Sequence, residues 1–221
     1  MKIIGVSGSP IKDSNTDRAL KRVLAATGAK KTEFVKLSTQ TIAPCLACLK
    51  CVDTNRCIIN DDGVKLAEKV YKADALIIAG FTPYSSIDSR TKTFIERMYP
   101  LRHRHGLLKG KVGAGIITCA IPEEMTEMPP ACDNGMQAIQ NFMMAEEMNF
   151  AGGVTIKGNV PCVRCGDKGQ CSVSGLKMIH GPHATVAEVG ISNFEDDAAL
   201  MQQLDDLGAT IAEQVVAWLP S

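Results

Sequence analysis

The chain has 221 residues, 45% of them hydrophobic and 22% charged, with 24 basic and 24 acidic side chains and therefore no formal net charge. That balance is ordinary for a water-soluble chain long enough to bury a core, and a neutral surface without basic runs argues against a general nucleic-acid or anionic-membrane binder. No stretch approaches the ~18 uninterrupted apolar residues of a membrane span, and the short start 1–6, broken at once by Gly8-Ser9-Pro10, lacks the pattern of a secretory leader.

In chain order, the first predicted strand, KIIGVS (2–7), runs into GSPIKDSNTDRAL, a hydroxyl-rich loop that opens a helix over 16–26. Free backbone N–H groups and the positive end of a helix favour a phosphate there. Ser9, Ser14, Asn15 and Thr16 are the side chains that would complete its shell, although Ser14 is equally expected to cap the helix. Neither G-x-x-x-x-G-K-[ST] nor G-x-G-x-x-G is present, so a nucleoside triphosphate or a Rossmann-bound NAD is not indicated. A strand over 32–37, a cysteine-bearing loop over 41–60 and a helix over 63–72 follow. Next come a strand (75–80), the loop FTPYSS (81–86) and a helix (89–99). A strand over 112–118, a Met- and acid-rich loop and a helix over 134–148 precede a fifth strand over 152–157. An insertion over 158–193, rich in Gly, Pro, His and Cys, leads to a closing helix over 195–218.

Five β–α units, most of them with short, almost continuously apolar strands, predict an α/β fold, a doubly wound parallel sheet with right-handed crossovers. No linker divides 1–221, so a single domain is expected, and its two long cysteine-bearing connections are expected to be functional.

The first of these connections reads PCLACLKCVDTNRC and places Cys45, Cys48, Cys51 and Cys57 at C-x2-C-x2-C-x5-C. Without a leader the chain is expected in the cytoplasm, where cysteines serve metal or redox chemistry rather than structural disulfides. A tight loop of four thiolates can wrap an iron–sulfur cubane; zinc and a redox dithiol are the rival readings, though zinc more often uses two separated C-x2-C pairs. The second connection repeats C-[LV]-[KR]-C-x-D-x3-C, so that Cys162, Cys165 and Cys171 mirror Cys48, Cys51 and Cys57. A second cluster, a zinc ion or no metal would each fit, with Cys132, His180 or His183 as fourth ligand. Cys119, at the end of the fourth strand, reads as packing. His103 and His105, in LRHRHG, form a basic patch with Arg102 and Arg104 that is open to an acidic partner or a nucleotide phosphate.

GSPIKDSNT resembles the phosphate loop of the NADPH-dependent FMN reductase branch of the flavodoxin-like superfamily, and ADALIIAGFTPYSSIDSRTKTFIERM resembles that branch's third strand, flavin loop and helix. The likeness implies strand order 2-1-3-4-5, with FMN beyond the strand C-termini at the topological switch point. It implies ring contacts from Phe81, Thr82, Pro83, Tyr84, Ser85 and Ser86, with Thr118 on the next strand end. PCLACLKCVDTNRC followed by Asp61-Asp62 is similar to the compact motif of the iron–sulfur flavoproteins, whose four cysteines hold a [4Fe–4S] cluster beside FMN. The resemblance implies electron exchange between flavin and cluster, with NAD(P)H or a ferredoxin-like protein as redox partner. It also implies a homodimer or homotetramer in which one subunit's cluster approaches another's flavin. An NAD(P)H-dependent FMN or quinone reductase with structural zinc or free cysteines, and a non-enzymatic metal- or redox-responsive module, are the alternatives.

Overall fold

The computed structural model describes residues 1–122, 125–165 and 171–219. Its centre is a five-stranded, wholly parallel sheet in the order β2-β1-β3-β4-β5, formed by β1 (Lys2–Ser7), β2 (Lys31–Lys36), β3 (Ala75–Phe81), β4 (Val112–Cys119) and β5 (Asn149–Lys157). The expected doubly wound order is therefore present.

Alternation along the strands divides the core between two layers. Ile4, Val6, Leu76 and Ile78 face α2 (Asp62–Tyr71), α3 (Ser89–Glu96) and α5 (Ala131–Ala145), packing with Leu66, Phe94 and Met143. Ile3, Ala75, Ile77 and Ala79 face α1 (Asn15–Ala26) and the closing helix, packing with Leu20, Val23, Ile211 and Val215. On β4, glycine lets α5 approach closely: a Cβ at Gly115 would lie 2.7 Å from Met136 Sδ. Of the three methionines at the end of the helix expected over 134–148, Met143 and Met148 are buried in the core and Met144 is exposed. No helix of the described residues is long and apolar enough to cross a membrane.

Several boundaries differ from expectation for local reasons. The helix expected over 89–99 stops at Glu96, and the chain bends into a single turn, α4 (Tyr99–Arg102), with Pro100 near its start. Proline has no N–H to continue the ladder. The closing helix expected from 195 begins at Ala198, because Asp197 caps it by accepting from the N–H groups of Ala199 and Leu200. Residues Phe194–Asp196 form a separate 3-10 turn. The helix α5 starts three residues earlier than expected and ends before Glu147, whose φ of +53° is left-handed. β5 is three residues longer than expected, beginning at Asn149 with an irregularity in its pairing between Gly113 and Ala114.

Candidate functional site

The C-terminal ends of β1, β3 and β4 open onto a cavity of about 460 Å³, lined by Ser9, Ser14, Asn15, Thr16, Phe81, Thr82, Pro83, Tyr84 and Thr118 among others. Nine of the eleven side chains predicted for the flavin thus meet in one place. Ser85 and Ser86 do not line it; the Ser85 carbonyl instead accepts from Asn134 Nδ2 at 3.0 Å, tying the loop to α5.

The loop after β1 is held from below. Asp17, nearly inaccessible, accepts from Ser7 Oγ at 2.6 Å and pairs with Lys36, which also donates to the Ile11 carbonyl at 2.8 Å. Gly8 continues the sheet by donating to the Ala79 carbonyl, and a Cβ there would lie 2.6 Å from both carboxylate oxygens of Asp88 and collide with Thr91 Oγ1. Asp88 is itself buried, capping α3 through the Thr91 N–H (2.9 Å) and accepting the Thr91 hydroxyl (2.7 Å).

The polar side chains of the loop are less free than the sequence suggests. Ser14 Oγ accepts from the Asp17 N–H at 3.1 Å as the cap of α1, which leaves its own hydroxyl proton to donate. Thr16 and Thr118 share a hydroxyl–hydroxyl bond of 2.9 Å. The Asn15 amide donates to the Ser192 carbonyl at 3.0 Å and accepts from Arg18 at 2.6 Å. The first of these bonds brings the end of the 158–193 insertion, at Ser192, back to the cavity. Asn159 and Ser192 are joined by two further hydrogen bonds of 2.8 Å, and Asn159, Val160, Arg164, Ile191 and Asn193 contribute wall that sequence reasoning missed. At the mouth, Tyr84 is wholly exposed and, like Ser85, has left-handed φ (+51° and +55°), a conformation costing non-glycine residues about 1 kcal/mol or more.

The first cysteine loop forms a second structure. Cys45, Cys48, Cys51 and Cys57 all line one small cavity of about 20 Å³, together with Arg97 and Pro100. The chain curls around it through left-handed Ala47, Leu49 and Asn55. Burial pushes the Cys51 thiol above its ordinary value, and the charges of Cys57, Cys48 and Cys45 add to the effect, so all four are electrostatic neighbours.

The neck of this loop is locked by Arg97, 1% exposed, which donates to both carboxylate oxygens of Asp61 at 2.7 Å, to the Ala43 carbonyl at 2.7 Å and to the Ile59 carbonyl at 3.4 Å. Asp61 also accepts from the N–H groups of Ala43 and Gly63, and Asp62 accepts from the Thr41 N–H. The Arg97 guanidinium holds the Asp61 carboxyl below the usual carboxylate range. The Asp-Asp pair that follows the cysteines therefore closes the loop. Farther out, Asn55 Nδ2 bridges the carbonyls of Pro100 and His103, and Arg104 pairs with Asp53. Arg102 donates to the Ala145 carbonyl, so much of the expected open basic patch is spent on internal contacts.

The second cysteine set is arranged differently. Cys162 and Cys165 sit on one turn, α6 (Cys162–Cys165), with Cys162 against Ser174 at the cap of α7 (Gly175–His180), and Cys165 and Cys171 are exposed. The intervening 166–170, including Asp167 of the repeat, and Glu123-Glu124 of the acidic loop, lie outside the described residues. Cys132, expected as a fourth ligand, is instead joined to Cys119 as a disulfide, because α5 folds straight back onto β4 and brings the two Cα atoms to 5.6 Å. Cys119 is correspondingly more than packing. Among the described residues no three Cys, His, Asp or Glu side chains converge on a point suited to a single metal ion.

Residues 1–143 match the family model described as NADPH-dependent FMN reductase. An iron–sulfur flavoprotein of Methanosarcina thermophila is 35% identical over 118 residues, which are 52% of this chain and 62% of that one. A second, from Methanocaldococcus jannaschii, is 29% identical over 154 residues, 69% of this chain and 76% of that one. The chain thus spans less than two thirds of the Methanosarcina relative's length. Among solved structures, a flavone reductase superposes with TM-score 0.62 at 14% identity, covering 98% of this chain and 63% of the other. An archaeal flavodoxin superposes with TM-score 0.54 at 14% identity, covering 98% and 99%. At such identities these structures speak to the fold, which is flavodoxin-like.

Proposed function

The chain belongs to the NADPH-dependent FMN reductase family, and from that premise we propose that this flavin oxidoreductase also carries a [4Fe–4S] cluster and passes electrons between the two. The observation that carries the proposal is the gathering of Cys45, Cys48, Cys51 and Cys57 around one cavity, on a loop whose neck is closed by a buried ion pair. Four soft thiolates in a tight wrap are the donor set of a cubane, and the naming of the relatives as iron–sulfur flavoproteins agrees with it. FMN, when bound, accepts a hydride equivalent from a nicotinamide and releases electrons singly, as a cluster accepts them.

The protein's own part is placement. Ser9 and the Ser14 hydroxyl, with the N–H groups at the start of α1, cradle the FMN phosphate. Phe81 to Tyr84 line the same cavity and would flank the ring, with Tyr84 exposed at its mouth. Asn159 and Ile191 form part of the far wall. Arg97, beside the thiolate cavity, offsets negative charge there. NAD(P)H or a ferredoxin-like protein is the redox partner, in the cytoplasm. Leu46, Leu49 and Ile58 are exposed on the cysteine loop and suit a second copy of the chain in a dimer or tetramer.

The test is a visible spectrum and iron assay of anaerobically purified protein, expected to contain flavin bands, a broad cluster shoulder and about four irons per chain. Flavin bands with zinc and no iron after reconstitution would overturn the cluster. Ser9→Ala and Ser14→Ala are each expected to weaken FMN binding about tenfold or more, since a hydrogen bond to a charged group contributes about 1.5–3 kcal/mol. Unchanged affinity in the double variant would refute the phosphate placement. Sedimentation as a lone 23.7 kDa species under assay conditions would refute the assembly.

A further inference from the structure

One pair of buried sulfurs has no role in the mechanism above. Cys119 is the last residue of β4 and Cys132 the second residue of α5; they are 5% and 8% exposed and joined as a disulfide with Cα atoms 5.6 Å apart, a normal span for that bond. Cys119 lines the flavin cavity. It also lines a second cavity of about 320 Å³, whose wall includes Cys132, Lys157, Asp197 and Gln203. The pair is therefore a partition, with one sulfur residue shared by the two chambers and the other bordering only the second.

A bond intended only as a staple gains little here. β4 and α5 already pack through Gly115, Met136, Ile139 and Met143, and the Cys119 carbonyl is held by the Gly158 N–H at 2.6 Å. Disulfides in reducing compartments are characteristically transient and redox-active rather than structural.

We propose that Cys119–Cys132 is a redox-active disulfide that receives an electron pair from the reduced flavin and delivers it, through the second cavity, to a low-molecular-weight disulfide. In the first half-reaction the reduced flavin gives up two electrons and a proton. The S–S bond breaks, Cys119 and Cys132 become a thiolate and a thiol, and the flavin returns to its oxidised form. In the second, the Cys132 thiolate attacks one sulfur of the external disulfide, forming a mixed disulfide and releasing a thiol after proton uptake. Cys119 then attacks Cys132 Sγ, restoring the internal bond and releasing the second thiol. The second cavity falls at the lower end of small-ligand pockets, and its Lys157 and Asp197 suit an acceptor bearing both carboxylate and ammonium groups.

The inference rests on the flavin reading, and the experiment separates the two. FMN-loaded protein is illuminated anaerobically with EDTA as electron donor, then alkylated, and the Cys119 and Cys132 peptides are weighed. One alkyl group on each of the Cys119 and Cys132 peptides is expected once the visible flavin band has bleached, and none on either peptide in flavin-free protein treated identically, the other seven cysteines being alkylated on their own peptides. Addition of cystine to the reduced protein is expected to restore the Cys119–Cys132 disulfide on its unalkylated peptides, two cysteines being released for each pair reoxidised, while Cys119→Ser is expected to trap cysteine on the Cys132 peptide. A bleached flavin with both peptides still disulfide-linked overturns the first half-reaction. A dithiothreitol-reduced pair that cystine fails to reoxidise, with no adduct in Cys119→Ser, overturns the second. Failure to take up FMN at all is seen directly in the missing band and counts against the flavin reading instead.

Discussion

Replacing Arg97 with Leu removes the lock on the cysteine loop. The guanidinium is 1% exposed and its Asp61 partner 11%, with two N–H···O contacts of 2.7 Å between them. The variant keeps the Asp61 carboxylate largely enclosed without its partner and leaves the Ala43 and Ile59 carbonyls short of a donor. Deleting one member of a buried pair costs about 3–5 kcal/mol. With a urea dependence of about 2–3 kcal/mol per molar for a chain of this size, the unfolding midpoint is expected to fall by about 1–2.5 M. Arg97→Lys keeps the charge but not the fork, and a loss of about 1–2 kcal/mol is expected. The penalty has a pH signature as well. Asp61 titrates below its unfolded value, so the pair's contribution is present above the ordinary carboxylate pKa and lost as pH falls through the lower folded value. The wild-type and Leu variant stabilities should therefore converge in acid. A midpoint shift under about 0.3 M, with unchanged hydrogen exchange at Thr41, Ala43 and Gly63, would refute the idea that this pair closes the loop.

Three further outcomes are expected. Gly8→Ala drives a methyl group into Thr91 and Asp88 and should lower the thermal midpoint by several degrees, on the basis of about 1–3 kcal/mol of overpacking; an unchanged melting curve would contradict the packing described. Glu146 is 5% exposed, and burial pushes its carboxyl up to about 7 against the opposing effect of Arg102, 3.9 Å away. Its folded pKa is raised, so wild-type stability should decline by up to about 3 kcal/mol as pH rises from the ordinary carboxylate range to 7, and Glu146→Gln should flatten that slope in urea titrations. Alanine at any one of Cys45, Cys48, Cys51 or Cys57 should lower iron content and bleach the cluster shoulder while FMN absorption persists; full iron retention in all four variants would remove the proposed ligand set.

The features legible in the sequence were those written locally. The apolar runs of β1, β3 and β4 give strands because each is buried on both faces, whereas β2 and β5 at the sheet's edges are only partly covered, and the hydroxyl-rich loop before α1 gives the cavity floor because cap and loop are adjacent in the chain. The helix ends were less legible, since Pro100 and the cap at Asp197 compete with a periodicity that continues past them. The contributions of Arg97, Asn159, Ile191 and the Cys119–Cys132 pair were not legible, because each depends on a distant segment returning. Arg97 lies near the end of the helix expected over 89–99, and it is the return of the loop from Thr41 to Asp62 that buries it. Thr16 shows the converse: its hydroxyl looks available in the sequence and is taken by Thr118 from a strand about a hundred residues away.

The helix α3 has Asp88 at one end and Arg97 just past the other. Asp88 fixes the floor of the large cavity, and Arg97 fixes the neck of the cysteine loop. Nine helical steps of about 1.5 Å put the two anchors about 13 Å apart along a single rigid strut. The constraint this imposes is one of length and phase, not of composition. Most exposed positions between Ser89 and Glu96 should accept other helix-forming residues without consequence. One extra residue inserted among them would turn Arg97 by about 100° and advance it about 1.5 Å, detuning one anchor while the other stays seated.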